Sequence, residues 1–404
     1  MTSTHVPAVA RTASPRTARA INDRLALQLL KDEGPLTAGQ LKTLTGLSRP
    51  TIADLVERLQ SAGLVAVVGE TGARRRGPNA RVYGIVADSA HVAGVDVRTD
   101  GVAVCVADLL GRTLAEASLP VDPDSDPVRT VADSVALVQR AAQRAGAARL
   151  HHIGIGAPGL IDPATGELNS PARLPSWHRE LAAALQRALA APVLLENEVN
   201  LAAVAEQRLG TARDRDTFVL LWLGHGVGAA VVLDRVLRRG ASGGTGEIGF
   251  LPVPGTSALP SASCCDGGFH SLVGGAAVCE LAREHGLETG GRQGVEDAGA
   301  AEAVIRAAVE AGERGGPFLD ALAARIALGV AAMCAVLDPG CAVLGGEAGR
   351  AGGEALARRV EVHVARMSPL RTQVRAGVVG GGGVLRGAVL TAMDAAQDAL
   401  FGAR

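Results

Sequence analysis

The sequence predicts two folded parts in series: a small helix-turn-helix with a β wing over residues 21–86, then a larger α/β body of two similar lobes over residues 87–404. Three observations predict this. Residues 1–85 carry 12 Lys and Arg against 6 Asp and Glu, whereas the remainder carries 28 against 35, so a basic end precedes an acidic body. Cap-like residues punctuate three short apolar-periodic segments in the basic part. Within the body, "VAGVDVRTDGVAVCVADLLGRTL" is echoed by "VLLWLGHGVGAAVVLDRVLRRG". Each reads strand, polar glycine turn, strand, Asp and a second turn, as expected of a duplicated hairpin with a cleft between two lobes.

Composition narrows the class. With 404 residues, 48% of them hydrophobic, the chain can bury at least two cores. No apolar run is read as reaching the roughly 20 residues that span a bilayer, and no hydrophobic leader is visible, so a cytoplasmic protein is expected. The six cysteines are scattered apart from the pair Cys264-Cys265, which implies reduced thiols rather than a disulfide framework. Residues 1–20 contain three arginines and no acidic residue. A transit peptide has that composition too, but Pro7 and Pro15 interrupt an amphipathic helix and a folded unit follows at once, so a disordered basic tail is expected.

In the basic part, Ile21, Leu25 and Leu29, with Ala26 and Leu30 beside them, predict a helix ending near Gly34-Pro35. Thr37-Ala-Gly-Gln40 reads as a capping box opening a second helix, which Gly46 ends. Ser48 caps a third helix with Ile52, Leu55, Val56 and Leu59 on one face, stopped by Gly63. Then "LVAVVGE" and "RVYGIV" flank "TGARRRGPNA" as the strands and turn of a wing. This order is that of a winged helix-turn-helix, whose third helix enters the major groove of double-stranded DNA. Ser48, Arg49, Pro50, Thr51 and Asp54 fall near base edges, and Arg74, Arg75 and Arg76 reach phosphates or a minor groove. Asp54 either accepts from a cytosine amine or leaves base reading to others. A plain helical bundle with a solvated charge run is the competing account.

In the body, apolar runs alternate with helical stretches such as 128–145, 181–190 and 321–337, which argues an α/β architecture. The stretch "VLLENEVNLAAVAE" ends an apolar run in Glu196-Asn197-Glu198, followed by Asn200 and a helix. It reads as a catalytic site, a ligand pocket or a polar helix start.

Five segments in this order, "GVDV", "GIGAPGLID", "ENEVNLA", "GASGGTGEIGF" and "VLGGEAGRAGG", give the chain a resemblance to the ROK family of repressors, open reading frames and sugar kinases. It resembles the repressor branch, in which a winged helix precedes a two-lobed α/β body of the actin and hexokinase fold. Kinases of that family carry an Asp followed by a Gly-Gly-Thr turn. Here Asp96 is followed by Val97-Arg98-Thr99-Asp100, which puts β-carbons and a negative charge where a backbone cradle must approach phosphate. The second loop, Gly224-His225-Gly226-Val227-Gly228, keeps its glycines. Glu198 stands where family kinases have the catalytic Asp, and an extra methylene displaces the carboxylate by about an ångström. No catalytic residue and no cofactor are therefore assigned.

The resemblance implies a sugar pocket lined by Pro158, Gly159, Asn197, Glu198 and Glu247. Two departures bear on it: Arg173 stands where a sugar-contacting Asn is usual, with Asn169 nearby, and Phe250 replaces the His that follows "GEIG". The family's zinc motif is missing from "SASCCDGGFH", where Cys264, Cys265 and His270 fall short of four ligands, so no metal is assigned. The expectation is a DNA-binding transcriptional regulator, a repressor, acting on operator DNA as a homo-oligomer, dimer or tetramer, and responding to a carbohydrate-like effector. The alternatives are an ATP-dependent sugar kinase with an accessory DNA-binding module and a ligand-independent DNA-binding regulator.

Overall fold

A computed structural model describes the chain except residues 1–14, 72–79, 99, 123, 170–176, 225, 257, 262–266, 290–297 and 403–404. It divides into two compact units: residues 1–92 with 107–113 and 393–404, and residues 93–106 with 114–392.

In the first unit, α1 (Pro15–Asp32), β1 (Leu36–Thr37), α2 (Ala38–Thr45), α3 (Arg49–Ser61), β2 (Val65–Thr71) and β3 (Ala80–Ile85) follow one another. The strands form a sheet in the order β1-β3-β2, with β2 antiparallel to β3. The capping box is complete, with the Gln40 N–H donating to Thr37 Oγ1 at 3.2 Å and the Thr37 N–H donating to Gln40 Oε1 at 2.9 Å. Gly46 ends α2 in the left-handed region at φ 72°.

Two expectations for α1 are corrected. The helix begins at Pro15, inside the segment 1–20 read as a tail, because proline at the first turn of a helix removes only a donor that has no partner there. Its buried face is Ala26, Leu27 and Leu30, whereas Ile21 is 58% exposed and Leu25 38% exposed. Ala26 and Leu30 of the predicted stripe are thus buried, Leu27 joins them, and the stripe turns away from Ile21 and Leu25.

The end of the chain, residues 393–404, belongs to this unit as well. The last helix is α12 (Gly383–Phe401), numbered after eleven others. Within the first unit its Gln397 accepts from Lys31 Nζ at 2.6 Å and donates to the Leu109 carbonyl at 2.8 Å. Asp398 accepts from Arg24 at 2.7 Å.

The second unit holds both lobes. The first sheet contains β4 (His91–Val97), β5 (Gly101–Asp108), β6 (Thr113–Pro120), β7 (His152–Ala157) and β10 (Val193–Asn197), in the order β10-β7-β4-β5-β6. The short pair β8 (Leu160–Ile161) and β9 (Leu168–Asn169) stands apart. Helices α4 (Pro127–Arg144) and α5 (Trp177–Leu189) cover the sheet, and α6 (Glu198–Arg208) follows β10 directly.

The second sheet contains β11 (Phe218–Leu223), β12 (Val227–Leu233), β13 (Val236–Arg238), β14 (Cys341–Gly345) and β15 (Gln373–Ala376), in the order β13-β12-β11-β14-β15. Read from the far end, this is the first sheet's order: three sequential strands, then two added beside the first of them. The sequence echo is therefore a duplicated lobe topology. Helices α7 (His270–Val273), α8 (Gly275–Glu284), α9 (Ala298–Glu310), α10 (Gly316–Leu337) and α11 (Gly346–Met367) pack on this lobe.

Contrary to the sequence reading, residues 312–337 are apolar and long enough to cross a membrane by composition. Phe318, Leu319, Leu322, Ile326 and Val330 of α10 lie instead in the second lobe's core with Phe269 and Leu356.

Candidate functional site

The first candidate surface lies on α3. Ser48 caps this helix by accepting from the Thr51 N–H at 3.3 Å, and the two hydroxyls share a hydrogen bond of 2.8 Å. Ile52, Leu55, Val56 and Leu59 are buried, which turns Arg49, Pro50 and Asp54 outward and leaves Thr51 half-buried. Ser48 and Thr51 are thus engaged in shaping the helix start. Asp54 is bound by Arg58 one turn on, and Arg58 also pairs with Asp23 of α1 at 2.6 Å. Arg49 is the outward cation of the helix start. Arg74, Arg75 and Arg76 lie outside the described residues.

The second candidate site grows from "ENEVN", where β10 turns into α6. Parallel pairing sets Glu196 opposite Gly156 and Asn197 opposite Ala157, which brings the strand end beside Pro158-Gly159. Asn197 Nδ2 donates to the Gly159 carbonyl at 2.9 Å, and Asn197 Oδ1 caps α6 by accepting from the Val199 N–H at 2.8 Å. Buried Glu196 accepts from the Asn197 N–H at 3.0 Å, Asn200 Nδ2 at 2.9 Å and Arg239 Nε at 2.6 Å. Glu196, Asn200 and Arg239 form a fixed frame that the sequence reading did not assign. Two polar residues flanking Asn197 were the only local signal.

Glu198 makes no side-chain hydrogen bond among the described residues. Burial, with Asp96 and Glu347 repelling, pushes its carboxyl up to about 8, and Arg98 opposes the shift. The expected phosphate turn is occupied by an internal ion pair. Arg98 Nε and Nη2 both reach Asp96 Oδ2, at 2.9 and 2.8 Å, and Nη2 also donates to the Gly381 carbonyl at 2.7 Å. Asp96 is 1% exposed and its Oδ1 has no donor among the described residues. Burial raises this carboxyl, and Arg98 opposes the rise.

The second glycine loop is occupied as well. Because β11 runs parallel to β14 with Trp222 opposite Gly345, Gly224 stands next to the start of α11. Glu347 Oε2 lies against Gly224 so closely that a β-carbon there would collide with it, and this oxygen is buried without a donor. His178 of α5 is 2% exposed beside the Arg98 backbone, and burial lowers its imidazole to about 4.

Glu247 stands on the loop after β13. Gly243, at φ +80°, lets that loop approach the Ile161 carbonyl, where any β-carbon would clash. The Glu247 carboxyl keeps an open edge to solvent, and burial of the remainder raises its pKa. Phe250 is 37% exposed. Asn169 ends β9, while Arg173, Cys264 and Cys265 lie outside the described residues.

Residues 92–395 match the ROK family, and residues 21–76 match the MarR family. The chain belongs to the ROK family. Among curated ROK relatives, the xylose repressor of Bacillus subtilis (strain 168) is 27% identical over 258 residues, covering 62% of this chain and 65% of that protein. The dual regulator NagC of Escherichia coli (strain K12) is 22% identical over 244 residues, 58% of this chain and 57% of that one. The chain thus spans a little under two thirds of these curated relatives' length. Among solved structures, a ROK family transcriptional regulator described as a homologue of E. coli MLC covers 95% of this chain and 98% of its own, with TM-score 0.75 and 19% identity. A ROK glucokinase from Streptomyces griseus, in complex with glucose and AMPPNP, covers 75% and 99%, with TM-score 0.60 and 24% identity. These likenesses establish the winged helix followed by the two-lobed ROK body.

Proposed function

We propose that this ROK protein is a cytoplasmic DNA-binding transcriptional regulator, a repressor, that binds operator DNA as a homo-oligomer and responds to a carbohydrate-like small molecule. One observation carries the reading: a capped α3 presents Arg49 outward from a MarR-like winged helix, ahead of a body whose phosphate turn is closed by Arg98 and Asp96. A helix start with an exposed cation suits the major groove, and the wing arginines suit the backbone. The repressors among its relatives support the same reading.

The site residues proposed for DNA are Ser48, Arg49, Pro50, Thr51, Asp54 and Arg74 to Arg76, with Ser48 and Thr51 shaping the helix start. Those proposed for the effector are Pro158, Gly159, Asn197, Glu198 and Glu247. Asn197 and Gly159 contribute mainly by holding the wall, and the carboxyl groups of Glu198 and Glu247 offer hydrogen-bond partners to hydroxyls. Phosphoryl transfer is disfavoured by chemistry in the cleft. Nucleotide phosphates need donors and cations, whereas Asp96 Oδ1 and Glu347 Oε2 stand as buried acceptors and Arg98 is already engaged. A coupling free energy of roughly 1–3 kcal/mol between effector and operator is enough for induction.

The test is an electrophoretic mobility shift with promoter fragments of the source genome, run across a salt series with and without a sugar panel. Salt-sensitive, sequence-selective binding relieved by one sugar is expected. Absence of selective binding, or turnover with ATP, magnesium and a hexose that Glu198→Gln abolishes, overturns the reading.

A further inference from the structure

The chain of the second unit changes lobes where the last strand of one sheet feeds a helix that packs on the other. Helix α6 leaves β10 of the first sheet, and its Val199, Ala202 and Ala203 pack with Phe218 and Leu220 of the second. Helix α12 leaves β15 of the second sheet and lies on the first. A β-carbon on Gly94 or Gly154 of that sheet would collide with Val389 or Ala388. Residues 377–383 are therefore the path from the second lobe back to the first.

Both ends of this path are held. At the second-lobe end, the Gly377 N–H donates to the Leu344 carbonyl at 2.9 Å. The Val378 and Val379 N–H groups then donate to Glu206 Oε1 at 2.8 and 2.9 Å. Glu206, 5% exposed on α6, accepts from the Thr211 N–H through Oε2 at 2.9 Å, so its carboxylate is fixed on that side. At the first-lobe end, Arg98 Nη2 donates to the Gly381 carbonyl at 2.7 Å. Between the two anchors Gly380, Gly381 and Gly382 form one 3-10 turn, closed from the Gly383 N–H to the Gly380 carbonyl. These glycines differ from Gly94 and Gly154. A β-carbon at Gly380 or Gly382 would meet nothing within 4 Å, and one at Gly381 would meet only the guanidinium of Arg350. Close packing does not require glycine at these positions; what three in a row supply is backbone freedom. A few such residues between anchored ends are where a rotation of lobes is absorbed.

We infer that Gly380–Gly382 is the hinge on which the two lobes open and close, anchored by Glu206 and latched by Arg98. Arg98 stands on the turn after β4 and also binds Asp96, so a rearrangement of that turn reaches the hinge through one hydrogen bond. This rests on the reading of the body as a two-lobed ligand sensor and names the device that regulates it.

The test is a double electron–electron resonance measurement of the interlobe distance in the full-length chain, with neither sugar nor DNA present. Nitroxides are carried on ketone-bearing amino acids at exposed Ala183 of α5 and Ala365 of α11, and unlabelled chain is mixed in so that only pairs within one chain report. Gly381→Ala combined with Gly382→Ala is expected to fold, because neither glycine has a positive φ and the added carbons meet at most the end of a flexible side chain. That pair should narrow the distance distribution. Arg98→Met should broaden it and speed amide exchange at Gly382 and Gly383 roughly tenfold, the scale of one lost charge-assisted hydrogen bond. A glycine-pair variant with a distribution as wide as that of wild type overturns the hinge, whether or not Arg98→Met folds. A folded Arg98→Met chain with the wild-type distribution overturns the latch. Because no operator or sugar enters the measurement, its failure leaves operator binding standing, and failure of operator binding leaves the hinge standing.

Discussion

Lys31 and Gln397 meet at 2.6 Å although 366 positions separate them in sequence. The hydrogen bond ties the first described helix to the last, and Gln397, 4% exposed, accepts from Lys31 through Oε1 while its Nε2 donates to the Leu109 carbonyl. A single amide thus joins three distant segments of the first unit.

Replacing Gln397 with Leu therefore leaves a part-buried lysine and a backbone carbonyl short of partners. The expected cost is about 1–3 kcal/mol, read by urea unfolding together with faster amide exchange in residues 15–32. Asp398→Ala serves as the contrast. Its pair with Arg24 is exposed on both sides, so its loss should change stability by no more than about 0.5 kcal/mol.

On α3, Ser48→Ala removes a cap and should cost about 1 kcal/mol of stability in thermal unfolding, with a matching fall in operator affinity. Arg49→Ala should leave stability within about 0.5 kcal/mol and weaken operator binding roughly tenfold or more in a mobility shift. Equal affinity of Arg49→Ala and wild type for the operator would remove this helix start from the interface.

Glu196→Ala strips the acceptor from Arg239 and Asn200 together. Asn200 is then left buried without its acceptor while Arg239, 47% exposed, can turn to water, so a loss of about 1–3 kcal/mol is expected in chemical denaturation of the second unit. Arg239→Ala in the Glu196→Ala background should add far less than it does alone, and additivity in that cycle would dissolve the proposed frame.

Two of the shifted groups, Glu198 and His178, act on the pH dependence with opposite sign. Glu198 is raised from 4.5 to about 8, so the native state holds a proton that the unfolded chain releases; stability is lost as pH rises from about 4.5 through 8. His178 is lowered from 6.5 to about 4, so the unfolded chain holds the extra proton; stability is lost as pH falls from 6.5 through 4. The two offset each other between about 4.5 and 6.5, and a net decline follows between 6.5 and 8. Melting temperatures should fall across that upper window in wild type and stay flat there in Glu198→Gln, which should also uncover the acid-side loss from His178. An unchanged upper limb in Glu198→Gln counts against a buried neutral carboxyl.

Local chemistry was legible in the sequence where neighbours in the chain are neighbours in space. The Thr37-Gln40 box, the Ser48 cap, the wing strands and the repeated hairpin all satisfy bonds within a few residues or within one repeat. The face that α1 buries was legible only in part: Ala26 and Leu30 are in it, but Leu27 competes with Ile21 and Leu25 for the same helical period. The cleft was legible in part. Asp96 and Glu198 stand out by motif, but Arg98 reads locally as a substitution that spoils a glycine turn. Only the fold reveals that it binds Asp96 and Gly381, which lies 283 positions away. Glu347 was hidden for the same reason, since its place against Gly224 is set by the pairing of β11 with β14. The return of α12 to α1 has no local signature.

The double use of Asn197 has a consequence for how this cleft can be altered. Its amide caps a helix and tethers the facing turn, and Glu196 and Asn200 on either side are committed to Arg239 and to each other. Within "ENEVN", Glu198 is the polar side chain that makes no hydrogen bond among the described residues. A library randomised at Glu198 should therefore yield folded variants with new ligand preferences, whereas one randomised at Asn197 should yield mostly unfolded chains. Retuning the proposed ligand preference, in the laboratory or by descent, runs through a single codon in the motif.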